Sequence, residues 1–311
     1  MEFVKPGITI DFIGRRRVAL LASAALIVLG LATAGLRGLN YGIDFAGGTL
    51  VELKMPRPVD IEDVRRELRG IGMGDSTIQH YGSKDEILIR MMRSPTGIEG
   101  IADIQGQIIK ALEVVYGEGS IELRRTEVVG PQVGAALRRQ ATLAMAYALI
   151  GILIYITIRF EFRFAVAAIL ALVHDVLITL GAFALTNREL SLPVIAAFLA
   201  IVGYSLNDTI VVFDRIRENL RLYRRESYEG VINRSINETL SRTILTSLTT
   251  LLVVLALFFL GGEVIHDFAF ALLVGIIVGT YSSIFIASPL LILWQRFAPS
   301  KKRLAAGRAS Q

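Results

Sequence analysis

Six stretches of this chain are long enough and apolar enough to cross a bilayer, and ionisable groups are almost absent within them. They cover residues 18–36, 142–158, 164–185, 192–213, 243–260 and 268–294. The second and fifth lie near the lower limit of about 17 residues for a spanning helix. In lipid an open segment satisfies its backbone N–H and C=O groups only as a helix, so each run is predicted to be a transmembrane helix. Burying all six in a soluble domain would require a far larger core than 311 residues can enclose. Composition agrees: 53% of residues are apolar, 20% are charged and the mean hydropathy is +0.56.

The basic residues track the ends of these runs, which argues against a nucleic-acid surface despite a pI near 9.5. Segments 1–17, 159–163, 214–242 and 295–311 carry 18 of the 33 Lys and Arg residues, whereas the short loops after the third and fifth runs hold only Arg188 and none. The positive-inside rule then puts both termini in the cytoplasm. The long segment between the first two runs lies outside, where its own basic residues count little; Arg138 and Arg139 beside the second run are a small contrary signal. Arg15–Arg17 followed by an apolar run and Ala32-Thr33-Ala34 resembles a signal peptide. At about 18 residues the run spans, so it reads as an uncleaved anchor; cleavage would leave five spans. There is no cysteine, so a disulfide, a thiol nucleophile or a cysteine-based metal site is excluded.

The outer segment reads as a small α/β domain. Residues 49–53 alternate apolar and polar; a helix over 60–69 puts Ile61, Val64 and Leu68 on one face with Asp60 as its cap. Strands over 76–80 and 86–91 flank the hairpin signal YGSKD. Ser94-Pro95-Thr96 opens a second helix, Thr96 and Glu99 being spaced as a capping box, with Ile101, Ile104, Ile108, Leu112 and Val115 on its apolar face. Gly117–Gly119 ends it before a strand over 120–128. The order β-α-β-β-α-β is the split βαβ arrangement of ferredoxin-like domains. The expected fold is therefore a polytopic α-helical membrane protein of six spans with one α+β ferredoxin-like extracytoplasmic domain. Its parts are a cytoplasmic segment 1–17, a first span 18–36, an outer domain with linkers 37–139, spans two to six within 140–295, and a basic cytoplasmic tail 296–311.

Polar groups inside the runs are where function is sought, because an ionised side chain in hydrocarbon must face protein or water. Asp208 lies 16 residues after Leu192, about 24 Å along a helix at about 1.5 Å per residue. It is either a carboxylate locking two helices or a site that binds and releases a proton or cation. Burial raises and a nearby arginine lowers a carboxylate's proton affinity, so a moving partner can switch it. Arg242, at the cytoplasmic start of the fifth run, is the candidate partner, with Thr246 and Thr249 continuing its face inward. Their hydroxyls serve either helix packing or a water path. His174-Asp175 near the middle of the third run is a second ionisable pair, suited to a relay or a helix lock; adjacent residues point about 100° apart, so a direct bond is not required. Asp214 is expected to be interfacial, pairing with Arg217 or Arg221, and the loop to Arg242 is long enough for an amphipathic surface helix. Gly275 and Gly279 form a small-residue face for close helix contact, and His266-Asp267 a boundary feature. GIGMG over 70–74 lacks the Lys-Ser/Thr of a phosphate loop, and no histidine–carboxylate cluster has metal-ligand spacing, so neither an enzyme, a metal site nor a cofactor is expected.

Four blocks carry a resemblance: LNYGIDFAGGTLVEL (39–53), VVGPQVG (128–134), GYSLNDTIVVFDRIREN (203–219) and SINETLSRTILTSLTT (235–250). Together they resemble the bacterial SecD/SecF family of protein-export membrane components. One modest outer domain places the chain nearer the SecF members than the SecD members. The likeness spans roughly residues 10–295 and implies an inner-membrane location. It implies proton conduction through Asp208 and Arg242, and a first outer motif at Asp44, Phe45, Gly47, Gly48 and Thr49, whose glycines turn the backbone tightly between helix and strand. It also implies a SecD-like partner in a twelve-helix pair, association with the SecYEG channel and its SecA motor, an unfolded exported polypeptide as cargo, and kinship with RND proton-driven exporters. H+ is the implied coupling ion and Na+ the alternative. Two rivals stand beside this reading: half of an RND exporter of small hydrophobic molecules, and a purely structural subunit. Gly47-Gly48 is expected either as a hinge for the outer domain or as a packing site.

Overall fold

The computed structural model describes residues 9–91 and 97–297. Helix α1 (Arg16–Arg37) is followed by a short α2 (Ile43–Ala46) and then by β1 (Gly48–Lys54), α3 (Ile61–Gly70), β2 (Thr77–Tyr81), β3 (Ser83–Met91), α4 (Gly97–Tyr116) and β4 (Glu122–Val129). The strands form one sheet in the order β2-β3-β1-β4, every neighbouring pair antiparallel. Strand side chains alternate between faces. Val51, Leu53, Ile78, Ile87, Ile89 and Met91 therefore share one face, sealed by Val64 and Leu68 of α3 and Ile108 and Leu112 of α4. Asp60 caps α3 as expected, its carboxylate accepting the Glu62 amide at 2.8 Å. Val115 does not join the core: it is exposed and Tyr116 packs there instead. The expected capping box at Thr96 and Glu99 rests on Thr96, which lies outside the described residues.

The membrane bundle comprises α1, α5 (Pro131–Arg159), α6 (Phe162–Thr186), α7 (Leu192–Leu222), α8 (Tyr228–Leu260), α9 (Glu263–Ser282), a π turn at Ser283–Ala287 and α10 (Ser288–Phe297), the last three forming the sixth span. The π turn has a cause in the sequence. Pro289 has no amide to give the carbonyl of Phe285, and its ring opposes that carbonyl, so the regular ladder breaks here. Ser288 helps by donating its hydroxyl to the Ser283 carbonyl at 2.9 Å.

One expectation fails at the helix ends. Residues 214–242 hold no separate surface helix. Instead α7 and α8 continue well past the apolar runs, because Ile216, Val231, Ile232, Ile236 and Leu240 keep an apolar face packed between them. Ser227 stops the turn by capping α8 through the Gly230 amide at 3.0 Å. Helix α5 also exceeds its apolar run, beginning at Pro131 ahead of residue 142. Within the bundle α6, α7 and α9 are central. Helix α1 crosses α6 at Gly30 and Gly181, so closely that a Cβ on Gly30 would stand 2.6 Å from the Gly181 Cα. The small-residue face foreseen at Gly275 and Gly279 meets α7 at Ile201 and Ser205.

Candidate functional site

Helix α7 carries Asp208 into the bundle, 7% exposed. Both carboxylate oxygens accept hydroxyls: Oδ1 from Thr243 Oγ1 of α8 at 2.6 Å, and Oδ2 from Ser283 Oγ at the start of the π turn, a short contact. A carboxylate so held is stabilised by two charge-assisted hydrogen bonds without a direct ion pair. Arg242 lies close enough to act on Asp208 through space. Its side chain is exposed and lines a cytoplasmic-side cavity of about 850 Å3 with Arg159, Arg217, Arg221 and Glu238. Asp208 is thus enclosed while Arg242 stands on the exposed side of α8, and the direct contact belongs to Thr243, the residue beside Arg242. Thr246 and Thr249 stand with Arg242 on the outward face of α8, and their hydroxyls bond the carbonyls of Arg242 and Leu245, each at 3.0 Å. The face that α8 turns inward is Thr243 and Ser247.

Asp175 on α6 is more deeply enclosed, 1% exposed. Its Oδ1 lies 2.8 Å from His174 Nδ1, so the neighbouring pair does bond; its Oδ2 accepts Ser205 Oγ of α7 at 2.6 Å and Ser282 Oγ of α9 at 2.8 Å. The His174 ring stacks on Tyr281, whose hydroxyl donates to the Ala19 carbonyl of α1 at 2.9 Å. Ser205, Thr243, Ser282 and Ser283 were not singled out from sequence. The available signal for the last two was a pair of adjacent serines six residues before a proline within a spanning run.

The outer motif packs against the bundle. Asp44 Oδ2 accepts the Leu192 amide at 2.8 Å and so caps the outer end of α7, the helix that carries Asp208. Phe45 is buried, and Thr49, the second residue of β1, is fully enclosed between Met91 and Val128. Gly47 and Gly48 have φ of +75° and +136°, a region that favours glycine. Gly47 is also pressed on α5: a Cβ there would lie 3.1 Å from the Pro131 Cα. The segment before the motif pairs with the α6–α7 loop, Gly42 N–H to Leu190 C=O at 2.8 Å and Leu190 N–H to Asn40 C=O at 2.7 Å.

That loop makes one contact that sequence did not suggest. Glu189 forms a close ion pair with Arg90 of β3, tying the open face of the sheet to the bundle, beside a cavity of about 560 Å3. Burial pushes the Glu189 carboxyl above the usual glutamate range; Arg90 opposes this, while Asp267 and Asp44 add to it. Arg188 pairs with Asp267 at 2.5 Å, so His266-Asp267 anchors the loop at the head of the sixth span. Asp214 pairs with Arg159 of α5 at 3.7 Å and not with Arg217 or Arg221. Among the described residues no group of three histidine or carboxylate side chains is arranged to hold a metal.

Comparison with known proteins places this geometry. Residues 108–297 match the family model "Protein export membrane protein SecD/SecF, C-terminal", and residues 35–55 match the "SecD/SecF GG Motif". The chain is 54% identical over 289 residues to the protein translocase subunit SecF of Desulfurispirillum indicum, covering 92% of each chain. It is 47% identical to the same-named subunit of Vibrio alginolyticus, covering 94% of this chain and 91% of that one. The crystal structure of SecDF, a translocon-associated membrane protein from Thermus thermophilus, superposes with a TM-score of 0.83 at 43% identity over 95% of this chain. This chain spans 40% of that longer one. With its matching motifs, six spans and full-length relatives, the chain belongs to the SecD/SecF family of protein-export membrane proteins, on its SecF side.

Proposed function

We propose that this chain, a multi-pass inner-membrane component of the Sec protein-export apparatus, couples the proton-motive force to outward movement of unfolded polypeptides. It would act with a SecD-like subunit on chains emerging from the SecYEG channel, after insertion driven by ATP through SecA. It is a transport auxiliary and not an enzyme. The observation that carries this reading is the enclosure of Asp208 within the spans, held by Thr243 and Ser283 and within electrostatic reach of Arg242. Protons entering from outside protonate Asp208, weaken its attraction to Arg242 and shift the packing of α7, α8 and the sixth span. The electrical part of the driving force is about 2.3 kcal/mol per charge per 100 mV. Replacing Asp208 with Asn should abolish gradient-stimulated export in membrane vesicles while assembly persists. Native export by D208N would refute the site, and export driven by a sodium gradient alone would make Na+ the coupling ion.

The partner reading is supported by the outward face of α8. Arg242, Thr246 and Thr249 stand exposed on a membrane helix, where lipid would be a poor neighbour and the helices of a SecD-like subunit a good one. We class the outer unit, within residues 37–139, as ferredoxin-like, on its β-α-β-β-α-β order and its antiparallel strand order β2-β3-β1-β4. It is the part that captures or releases the emerging chain.

Movement would reach this unit through α1 and the Gly47-Gly48 junction, and also through Asp44, which caps α7 directly. Spectroscopic labels on the outer domain and on α6 should then report two separations in the wild-type pair, collapsing toward one when Gly47 and Gly48 are replaced by alanine. A single separation with and without a proton gradient leaves the glycines as packing residues alone.

A further inference from the structure

Asp175 and Asp208 belong to different helices, yet two consecutive serines of the sixth span serve them. Ser282 Oγ donates to Asp175 Oδ2 at 2.8 Å and Ser283 Oγ to Asp208 Oδ2. Both serines are fully buried. Successive helical residues point about 100° apart, so adjacent side chains can reach α6 and α7 separately while sharing one stretch of backbone. Helix α7 closes the circuit from the other side: Ser205, one turn before Asp208, also donates to Asp175.

Each serine hydroxyl has one hydrogen and two acceptors. Ser282 Oγ is also 3.1 Å from the Gly279 carbonyl, and Ser283 Oγ is 3.0 Å from the Thr280 carbonyl. An ionised carboxylate only accepts, so it takes the hydrogen. A protonated carboxyl donates its own O–H to the serine oxygen, and the serine hydrogen then turns to the backbone carbonyl of its own helix. Such back-bonding bends helices. Here it falls where the ladder is already interrupted, since the π turn begins at Ser283 and Pro289 withholds its amide.

We propose that Ser282 and Ser283 are positioning residues that couple the two carboxylates, so that the proton state of one resets the hydrogen bonding of the other through the π turn. Asp175 and Asp208 then act as a single two-site unit whose combined state the sixth span reads. No covalent O–H of serine is broken; only its direction changes. The other ionisable groups facing the pair are His174 on Asp175, Tyr281 stacked on His174, and Arg242 toward Asp208. The proposal rests on the reading of Asp208 as the ion carrier.

Infrared difference spectroscopy of the full chain with its SecD-like partner, titrated in vesicles, tests it. The Asp208 carboxyl band is assigned by its loss in D208N. Ser282→Ala and Asp175→Asn alter groups that do not touch Asp208. Each should shift the Asp208 band and change its apparent proton affinity about fivefold or more, the lower end of ordinary coupling between sites. Ser282→Thr, which keeps the hydroxyl, should restore the wild-type band. Thr157→Val, at an exposed position on α5 whose hydroxyl bonds its own helix, should leave the band unchanged. Co-purification with the partner reports assembly, and D175N carries the test if S282A fails to assemble. A band unmoved in both S282A and D175N overturns the coupling while leaving Asp208 as carrier. Absence of any titrating Asp208 band, with full gradient-stimulated export by D208N, overturns both.

Discussion

In the outer domain Val51, Leu53, Ile87 and Ile89 are sealed away while charged side chains line the open sheet face. In the bundle Asp175, Thr179, Ser205, Ser282 and Ser283 are sealed away, while Val18, Ile158 and Leu260 face outward, each more than 70% exposed. The bundle thus buries polar groups among its apolar ones and turns large apolar side chains outward. The difference is solvent. Water drives apolar surface inward, whereas lipid tails are as apolar as leucine, leaving close packing and hydrogen bonds to hold helices together.

The contrast breaks most severely where helices touch by backbone. Gly30→Leu should prevent α1 from seating on Gly181 and remove most folded protein from the membrane, as read by its steady-state amount. Gly35→Leu on the same helix meets open space and should be tolerated. Equal amounts of the two variants would show that the α1–α6 crossing is not a stabilising contact.

A matched pair of truncations sharpens the solvent argument. Leu53→Ala, at a fully buried position in the outer core, should cost about 3 kcal/mol, measured from amide exchange of the sheet. Leu260→Ala, at an outward position in the bundle, should change stability by about 0.5 kcal/mol or less, because no apolar burial from water is lost. Similar costs at both positions would contradict the solvent argument.

The smallest expected effect lies at the seam, where Glu189 of the bundle meets Arg90 of the sheet. Burial raises the Glu189 carboxyl above its ordinary value of 4.5, so the docked state holds a proton more tightly than the undocked one. Its contribution to docking is therefore fully present below the ordinary value and is lost as pH rises through the raised one. Glu189→Gln should flatten this dependence, read as protection of the α6–α7 loop amides against pH. An unchanged slope in E189Q would assign it to another group.

Asp208 stood out in the sequence because a lone charge in an apolar run is costly, and cost implies a reason; Arg242, at the start of the fifth run, entered only as its candidate partner. The outer strands and the Asp60 cap were legible from periodicity and local hydrogen bonding. The long cytoplasmic extensions of α7 and α8 were missed because charge ends a hydropathy signal while the helical apolar face continues through Ile216, Ile232 and Ile236. Ser282 and Ser283 were missed because serine in a membrane helix ordinarily reads as small-residue packing.

Lipid and water act on each residue where it stands, so the number of spans, the side of the outer domain and the presence of a buried carboxylate follow from the sequence alone. A hydrogen bond needs two groups brought together, and here they come from helices 30 to 107 residues apart, as with Ser205 and Ser282 at Asp175. Which hydroxyls hold each aspartate, that Asp44 caps α7, and that Glu189 meets Arg90 were therefore settled only when the helices packed.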